Sequence, residues 1–341
     1  MWHRKLKFLG IIALLCVTRL SAHTEDPEVL RFGIISTEST SGLRRDFSPF
    51  LEALEAKLGL PVKAYFASDY AGVIEAMRFG KVDVAWMGNK AAIEAVDRAN
   101  AEVFAQTTAL DGSHDYRSVI IVHKDSRFQT LEEVLKQANE LTFGNGDPQS
   151  TSGNLVPQYY LWSPMGIQPA QLFKQVRRAN HETNAIAVAT KQIDLATCND
   201  EALERLERNH PKFAEQLRVI WTSPPIPSDP LVYRKSLSRE LRSHIAAAIL
   251  AFGRLGANVE RERELLSHIN EGWGPFLISD NSQLLPLRGI ELENQRLILE
   301  NKEGVDAKDK ASRLQAIEQE IEQLKAFEQL QMQYHGDGNR Q

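Results

Sequence analysis

Apolar residues in the first hundred positions follow two patterns, one typical of strands and one typical of helices, which alternate along the chain. Short runs rich in apolar residues, typical of β-strands between polar turns, cover residues 30–35, 62–66 and 82–86. Residues 47–58 and 70–79 instead have apolar positions at three- and four-residue steps, which is typical of helices, and a glycine follows each of them. The order strand, helix, strand, helix, strand predicts a parallel α/β sheet.

The same order returns further along the chain. The predicted elements are strands at 141–144 and 193–197 and helices at 152–162 and 182–190. Residues 76–85 and 187–196 both have the end of a helix, a polar turn, and then apolar, Asp, apolar, Ala. We interpret these two stretches as equivalent units, so the chain is predicted to form two similar lobes.

Two further runs are candidates for the segments that cross between the lobes. Ser118–Val122 is apolar and β-branched and leaves the first lobe, and Arg218–Trp221 leads back. Pro224, Pro225 and Pro227 then make the chain stiff and extended. Two crossings predict a cleft walled by both lobes, and clefts outside the carboxyl ends of strands are the usual binding sites of such folds.

The N-terminus has the pattern of a secretory signal peptide. A segment with basic residues precedes the nearly continuous apolar stretch Phe8–Thr18, and the small residues Ser21 and Ala22 follow. That stretch is well short of the ~20 residues that a membrane span needs. We predict cleavage after Ala22, so residues 1–22 are the signal and the mature chain is exported. Cys198 is then the remaining cysteine, which excludes an intramolecular disulfide and predicts a small buried residue.

The C-terminal part has a different composition. Residues 289–332 are rich in Glu, Gln, Leu, Lys and Ala, and residues 306–309 supply a first helical turn. Apolar side chains then recur at three- and four-residue steps, at Leu314, Ile317, Ile321, Leu324 and Phe327. The helix that they predict has one narrow apolar stripe. This stripe either packs back on its own lobe or forms a homodimer interface, and the pattern favours neither.

Composition and charge exclude several classes of function. With 341 residues, of which 43% are hydrophobic, the chain can form about two domains of ~150 residues. Its net charge of −5, without a basic stripe, argues against nucleic-acid binding. The chain has no serine-nucleophile motif, and its nine histidines show no metal-binding spacing. Gly144–Asp147 resembles a phosphate loop only in its glycines. We therefore expect no enzyme activity, no metal and no cofactor.

Ser150-Thr151-Ser152-Gly153 is the strongest candidate for chemistry, because it follows a predicted strand and precedes a helix. Hydroxyl groups there would converge with the N–H groups of a first helical turn and bind an anion without a cation. Ordinary N-capping is the alternative, since Ser and Thr are favoured N-cap residues. Capping needs one hydroxyl, whereas three are consecutive here, which favours anion binding.

Several segments together resemble the periplasmic phosphonate-binding components of phosphonate ABC transporters. The segments that carry the resemblance are Phe32–Glu38, Asp69–Gly72, Lys81–Trp86, Gly144–Pro148, Ser150–Gly153, His181–Ala185 and Gly272–Phe276. Ala179 and Asn180 depart from the family, which tends to carry a glycine just before the histidine. The similarity extends over nearly the whole mature chain and includes the helical tail.

The resemblance implies a type II periplasmic-binding-protein fold, in which two α/β lobes, each a mostly parallel sheet flanked by helices, are joined by two crossing strands. We divide the chain into residues 28–118 with 228–290 as lobe 1, 119–227 as lobe 2, and 291–341 as a C-terminal helical extension. The resemblance also implies a periplasmic protein that captures a small molecule and delivers it to an ABC transporter permease. Contact with the membrane would occur only through that permease.

The resemblance further implies a binding site with two chemically different ends. The residues concerned are Ser150, Thr151, Ser152 and His181 around phosphonate oxygens, Tyr70 and Tyr116 along the cleft, and Glu201 and Asp229 at an ammonium group. The neighbourhood of Glu201 is less like the family, so Asp200 is its alternative. With no Lys or Arg expected at the phosphonate end and two carboxylates at the other, 2-aminoethylphosphonate is the expected ligand. Phosphite, methylphosphonate or another oxyanion is the alternative ligand, and an extracytoplasmic sensor subunit is the alternative role.

Overall fold

The computed structural model of the chain describes residues 26–270 and 272–338. The predicted signal peptide therefore lies outside the described residues. No helix in those two ranges is both long and apolar enough to cross a membrane. The chain folds into two α/β lobes, which are followed by a pair of long helices.

Strands and helices alternate through much of both lobes. In chain order, the strands are β1 Leu30–Ile34, β2 Val62–Phe66, β3 Val84–Trp86, β4 Ala101–Gln106, β5 Asp115–Tyr116, β6 Ser118–His123, β7 Thr142–Asn145, β8 Gln175–Arg178, β9 Leu195–Asn199, β10 Leu217–Thr222, β11 Ile226–Pro227, β12 Pro230–Arg234 and β13 Leu277–Ile278. The α-helices are α1 Thr40–Leu58, α2 Tyr70–Arg78, α3 Asn89–Arg98, α4 Leu131–Leu135, α5 Pro169–Leu172, α6 His181–Ala189, α7 Asp200–Asn209, α8 Pro211–Ala214, α9 Arg239–Ala251, α10 Val259–Ser267, α11 Leu285–Glu300 and α12 Ala307–Gly338. Wider π-helical turns cover Thr151–Leu155 and Gln158–Trp162, and 3₁₀ turns cover Ala138–Glu140, Ser163–Met165 and Asn281–Leu284.

Lobe 1 is built on a mixed six-stranded sheet in the order β13-β4-β12-β3-β1-β2. Strands β2, β1 and β3 are parallel, as their alternation with α1 and α2 predicts, and β12, β4 and β13 add antiparallel pairs. Buried aromatic rings fill the space between this sheet and its helices. Phe47 stacks on Trp86 at 5.5 Å between ring centroids, and Trp273 packs edge-on against both rings. This core holds the carboxyl end of β3 at the edge of the sheet that faces lobe 2.

Lobe 2 repeats the arrangement on a five-stranded sheet in the order β10-β6-β9-β7-β8, with β7 parallel to β8 and β9. The two stretches that match in sequence make the same hydrogen bonds. Asp83, just before β3, accepts the N–H of Arg31 at 2.8 Å and donates its own N–H to the Arg31 carbonyl at 2.9 Å. Asp194, just before β9, makes the equivalent pair with Thr142 at 2.7 and 3.1 Å. In each lobe the Asp ties one parallel strand to its neighbour.

The chain crosses between the lobes in a short two-stranded ribbon. β5 pairs antiparallel with β11, and Tyr116 lies opposite Ile226. The two runs that we expected to cross, Ser118–Val122 and Arg218–Trp221, instead lie in β6 and β10, which pair with each other in the lobe 2 sheet. β6 is buried along its whole length. Its apolar character therefore reflects the core of lobe 2, and the crossing lies just before it.

Helix α11 contacts both lobes. Arg288 pairs with Asp97 of α3 through two hydrogen bonds of 2.6 and 2.9 Å, and Asn294 accepts a hydrogen bond from Ser163 of lobe 2. The boundary that we placed between residues 290 and 291 falls inside this helix. The last residues assigned to lobe 1 thus belong to the same helix as the extension.

Helix α12 packs along α11. It begins at the predicted turn, where Asp306 accepts the N–H groups of Lys308 and Asp309, both at 3.0 Å. Its apolar stripe is covered unevenly, since Ile321 is buried and Phe327 is 49% exposed. Packing on its own chain accounts for part of the stripe and leaves its C-terminal end accessible.

Candidate functional site

The parallel strands of both lobes end at one narrow cavity between the lobes. All eight residues predicted for the site line it: Tyr70, Tyr116, Ser150, Thr151, Ser152, His181, Glu201 and Asp229. Lining residues that sequence reasoning missed include Thr37, Trp86, Asn199, Arg205 and Asn270. Ligand sites of α/β folds usually lie outside the carboxyl ends of strands, and here the edges of two sheets supply one site.

The loop after β7 presents the three hydroxyl side chains. Ser150 is the N-cap of the π-helical turn, and its Oγ accepts the N–H of Gly153 at 2.9 Å. The capping interpretation is therefore correct for Ser150. Ser152 Oγ accepts a hydrogen bond from Asn199 Nδ2 at 3.2 Å. Apart from that of Gly153, the N–H groups of the first turn have no upstream helical carbonyl to bind, so they are suited to an anion.

Thr151 connects this loop to lobe 1. Helix α3 has Gly88 as its N-cap, which has no side chain to accept the first N–H groups of the helix. Thr151 Oγ1 takes that role from the opposite lobe, since it accepts the N–H of Lys90 at 2.9 Å. A side chain at position 88 would crowd this contact, because a Cβ there would lie 3.3 Å from Thr151 Oγ1. The hydroxyl of Thr151 thus both lines the cavity and links the two lobes.

Two glycines allow the loop to turn back on β7. The N–H of Gly146 donates to the carbonyl of Gly153 at 3.0 Å. A Cβ at position 146 would lie 2.5 Å from the Gly153 Cα, which is too close for any other residue. The hydroxyl of Thr197, on β9, donates to the carbonyl of Gly153 at 2.8 Å. The hydroxyl of Ser118, on β6, donates to the carbonyl of Ser152 at 2.6 Å. Strands β9 and β6 of the lobe 2 sheet therefore support the loop that carries the three hydroxyls.

His181 is the first residue of α6 and is buried against this loop. Asn180, where the family tends to carry a glycine, is the N-cap of the helix and accepts the N–H of Thr183 at 2.9 Å. The departure therefore leaves the histidine in place. His181 Nε2 lies 3.4 Å from Ser150 Oγ. Burial, with the positive charge of Arg205 as the second cause, lowers the pKa of His181 to about 3. The imidazole is therefore neutral near pH 7.

The buried histidine predicts a loss of stability in mild acid. The pKa of His181 is lower in the folded chain than the ordinary 6.5, so the unfolded chain binds the additional proton as the pH falls through 6.5 toward 3. Between pH 7 and 5 this should lower the free energy of unfolding by about 2 kcal/mol. We expect His181→Gln to lack this part of the pH dependence in urea unfolding. Equal pH dependence of both proteins would contradict the assignment, since the buried carboxyl groups with raised pKa values are common to both.

The two tyrosines both line the cavity and are almost fully buried. Tyr70 begins α2, and its N–H donates to Asp147 of lobe 2 at 3.3 Å. Tyr116 lies in the crossing ribbon. Burial raises the pKa of both phenols well above the usual value, and the charge of Asp229 raises both further. Both hydroxyls therefore stay protonated and can donate hydrogen bonds.

The two predicted carboxylates come from different lobes. Glu201 is the second residue of α7 in lobe 2, and Asp229 lies between β11 and β12 on the way into lobe 1. Asp200, the alternative to Glu201, instead accepts the N–H of Arg117 at 2.8 Å and does not line the cavity. Tyr116 is close enough to both carboxylates for each to raise its pKa. Two carboxylates thus line the same cavity as the hydroxyls of Ser150, Thr151 and Ser152.

An arginine also lies in the wall, where we expected none. Arg205 of α7 is buried and pairs with Glu38 of lobe 1, with 3.4 Å between Nε and Oε2. Burial raises the pKa of Glu38, although the charge of Arg205 opposes this. The sequence did not predict Arg205 as a site residue, because it is one of several charged residues on a polar helix. The positive charge of Arg205 is therefore partly neutralised by the carboxylate of Glu38 across the cleft.

Some buried polar atoms of residues that line the cavity have no hydrogen-bond partner within residues 26–270 and 272–338. They include Thr37 Oγ1, Trp86 Nε1 and His181 Nδ1. Buried polar groups are normally hydrogen-bonded, so orphaned ones require an explanation. A small polar ligand enclosed by both lobes would supply partners on several sides.

Cys198 lies apart from this chemistry. It is fully buried on β9, and burial raises the pKa of its thiol to about 12. It is therefore the small buried residue that the sequence predicted, and its thiol is unreactive in the folded chain.

Comparison with known proteins relates this site to a family. Residues 32–284 match the family model described as the periplasmic substrate-binding protein of phosphonate ABC transporters. The chain is 46% identical over 304 residues to the phosphonates-binding periplasmic protein of Escherichia coli, which covers 89% of this chain and 88% of that protein. It is 26% identical over 223 residues to a probable phosphite-binding ABC transporter protein of Prochlorococcus marinus, covering 64% of this chain and 73% of that one.

Solved structures show the same fold. The binding-protein component of a Pseudomonas aeruginosa phosphonate ABC transporter superposes with a TM-score of 0.85 at 46% identity, covering 90% of this chain and 99% of that one. The Prochlorococcus marinus protein, solved with methylphosphonate, superposes with a TM-score of 0.67 at 21% identity, covering 79% and 99%. The second similarity concerns the fold alone.

Proposed function

The chain belongs to the periplasmic substrate-binding proteins of phosphonate ABC transporters, and we propose that its own ligand is 2-aminoethylphosphonate, held between the two lobes. Members of this family bind a phosphonate in the periplasm and deliver it to a permease, and they are not enzymes. The signal peptide, with cleavage after Ala22, is part of the proposal. So are the lobe boundaries, apart from the one between residues 118 and 119, which falls inside β6, and the one that α11 spans.

One feature carries the choice of ligand: the lining of the cavity combines two chemically different sets of groups. Hydroxyls and N–H groups at Ser150–Ser152, with neutral His181, form one set, the hydroxyl wall. Glu201 and Asp229 supply two carboxylates, the carboxylate wall. Hydrogen bonds to charged oxygens contribute about 1.5–3 kcal/mol each, so several neutral donors can hold a phosphonate without an arginine aimed at it. The carboxylates favour a ligand that carries a cation at its far end.

Phosphite and methylphosphonate are the second candidates, because a relative at 26% identity is named a probable phosphite-binding protein. Both ligands fit the hydroxyl wall but offer no cation to Glu201 and Asp229. Two carboxylates in a closed cavity without a counter-charge on the ligand are unfavourable. We therefore place both ligands below the amino compound.

Thermal unfolding with a set of ligands tests this ranking. A ligand at one hundred times its dissociation constant stabilises the folded chain by about 2.7 kcal/mol, which is a readily measured rise in Tm. We expect the largest shift with 2-aminoethylphosphonate, a smaller one with methylphosphonate and the smallest with inorganic phosphate. Taurine is the matched control, because it keeps the aminoethyl group and replaces the phosphonate with a sulfonate. A shift with methylphosphonate or phosphite that exceeds that of the amino compound would overturn the choice of ligand.

We propose that a homodimer forms through the C-terminal end of the apolar stripe of α12, which remains exposed. Phe327 and Leu330 of α12 are 49% and 54% exposed. Beside Phe327 is a groove formed with α3 and α11, in which Ile93, Leu285 and Leu292 lie. Apolar side chains that remain open on a long helix support an interface with a second copy.

A further inference from the structure

Three residues on one face of α7 converge on the same residue of lobe 1. Glu201, Arg205 and Arg208 are spaced four and three residues apart, so they lie on the same side of the helix. All three are hydrogen-bonded to Asn270, which lies just after α10. Asn270 is buried and lines the cavity. This asparagine is therefore a contact between the lobes that also reaches a predicted ligand residue.

The charges around Asn270 determine how its side chain is oriented. Arg205 donates to Asn270 Oδ1, and an arginine has no acceptor, so the amide nitrogen must point the other way. That nitrogen donates to Glu201 Oε2 at 3.4 Å. Arg208 donates to the main-chain carbonyl of the same residue. The side chain of Asn270 is thus interposed between a guanidinium and a carboxylate.

The backbone of Asn270 supports this placement. Its φ angle is +55°, in the left-handed region that most residues avoid and that asparagine tolerates. Non-glycine residues held in this region are often found at functional sites. The conformation directs both oxygens of Asn270 toward the arginines of α7.

Arg205 and Glu201 would otherwise be suited to pair with each other. Opposite charges four residues apart on a helix surface lie within reach and attract. Arg205 instead pairs with Glu38 across the cleft, and both groups are buried. Glu38 and Asn270 belong to lobe 1, whereas Arg205 and Glu201 belong to lobe 2, so this arrangement requires the lobes to be closed.

We propose that Asn270 is a specificity-determining residue that, on closure, keeps the guanidinium of Arg205 away from the carboxylate of Glu201. Glu201 then directs its charge to the cation of the ligand, and Arg205 directs its own to Glu38. Closure and recognition of the ammonium group are thereby coupled through one amide. The inference rests on the proposed function, because it concerns how the site selects an aminophosphonate.

Asn270→Gly tests the proposal. Glycine accepts the left-handed backbone and keeps the carbonyl that Arg208 contacts, so the change removes the amide alone. The quantity to measure by calorimetry is the ratio of the dissociation constants of methylphosphonate and 2-aminoethylphosphonate. We expect Asn270→Gly to lower this ratio about tenfold, because Arg205 then competes with the ligand for Glu201. Adding Glu38→Gln and Arg205→Gln to that variant removes the competing charge and should restore most of the ratio.

Asn100→Gly is the matched control, since Asn100 also has a left-handed backbone, with φ +51°, and lies outside the cavity. It should leave both dissociation constants unchanged. An unchanged ratio in Asn270→Gly would overturn the proposal, as would an equal loss for both ligands, which indicates weaker closure alone. A ratio that stays low in the triple variant would also overturn it. If the unmodified protein does not prefer the amino compound, the proposed ligand is itself wrong, and that result is obtained before any variant is made.

Discussion

The double variant Glu201→Gln, Asp229→Asn is expected to bind 2-aminoethylphosphonate about a hundredfold more weakly, or about 2.8 kcal/mol in binding free energy. Its affinity for methylphosphonate should stay the same or rise. Both changes keep the size and shape of the side chains, so the cavity should retain its volume. Isothermal calorimetry with the two ligands measures the affinities directly.

The size of this effect follows from the charges in the cavity. One carboxylate–ammonium contact at ~4 Å contributes about 4 kcal/mol at an effective dielectric of ~20 before desolvation. Desolvation of the ammonium and of both carboxylates offsets part of that gain. Methylphosphonate has no ammonium, so removing two negative charges lowers the repulsion of its anionic end.

Glu207→Gln with Glu260→Gln is the control for this experiment, because it removes two exposed carboxylates and changes the net charge equally. It should leave both affinities unchanged. A double cavity variant that keeps its preference for the amino compound would show that Glu201 and Asp229 do not bind the cation.

Much of the fold could be predicted from the spacing of apolar residues. The matching stretches around Asp83 and Asp194 predicted two equivalent units, and the same pair of hydrogen bonds is found in each. The crossing was misplaced because an apolar β-branched run such as Ser118–Val122 looks the same in a sheet and in a connection. The pairing partner that distinguishes them, β10, lies about a hundred residues away along the chain.

The residues of the candidate site could likewise be predicted only in part. Ser150 and its neighbours could be found because several hydroxyls at a strand-to-helix turn form a local pattern. Arg205 and Asn270 could not, because their roles depend on contacts across the cleft to Glu38 and α7. Glu201 was located within one position only by resemblance, and the contact of Asp200 with Arg117 explains which carboxylate faces the cavity.

Thr151→Val with Ser152→Ala should weaken the binding of every phosphonate by at least a hundredfold. Two hydroxyls are lost from the oxyanion wall, and each hydrogen bond to a charged oxygen is worth about 1.5–3 kcal/mol. Ser150 is kept, so the N-cap of the π-helical turn stays intact. The ratio between 2-aminoethylphosphonate and methylphosphonate should remain close to that of the unmodified protein, because both ligands have the same anionic group.

Loss of the Thr151 hydroxyl also removes the contact with Lys90, so weaker closure needs a separate control. Glu182 accepts the N–H of Ser39 at 2.9 Å, a different hydrogen bond between the lobes whose residues do not line the cavity. If closure alone explained the loss, Glu182→Ala, which removes the acceptor of that hydrogen bond, would weaken binding as much as the hydroxyl variant does. We expect it to weaken binding less than tenfold, since one partly exposed hydrogen bond contributes about 1 kcal/mol. The hydroxyl variant should reduce the affinity for all phosphonates, whereas the carboxylate variant should reduce the selectivity for the amino compound. If the hydroxyl variant instead lost selectivity and the carboxylate variant lost affinity for all phosphonates, the roles assigned to the two walls would be reversed.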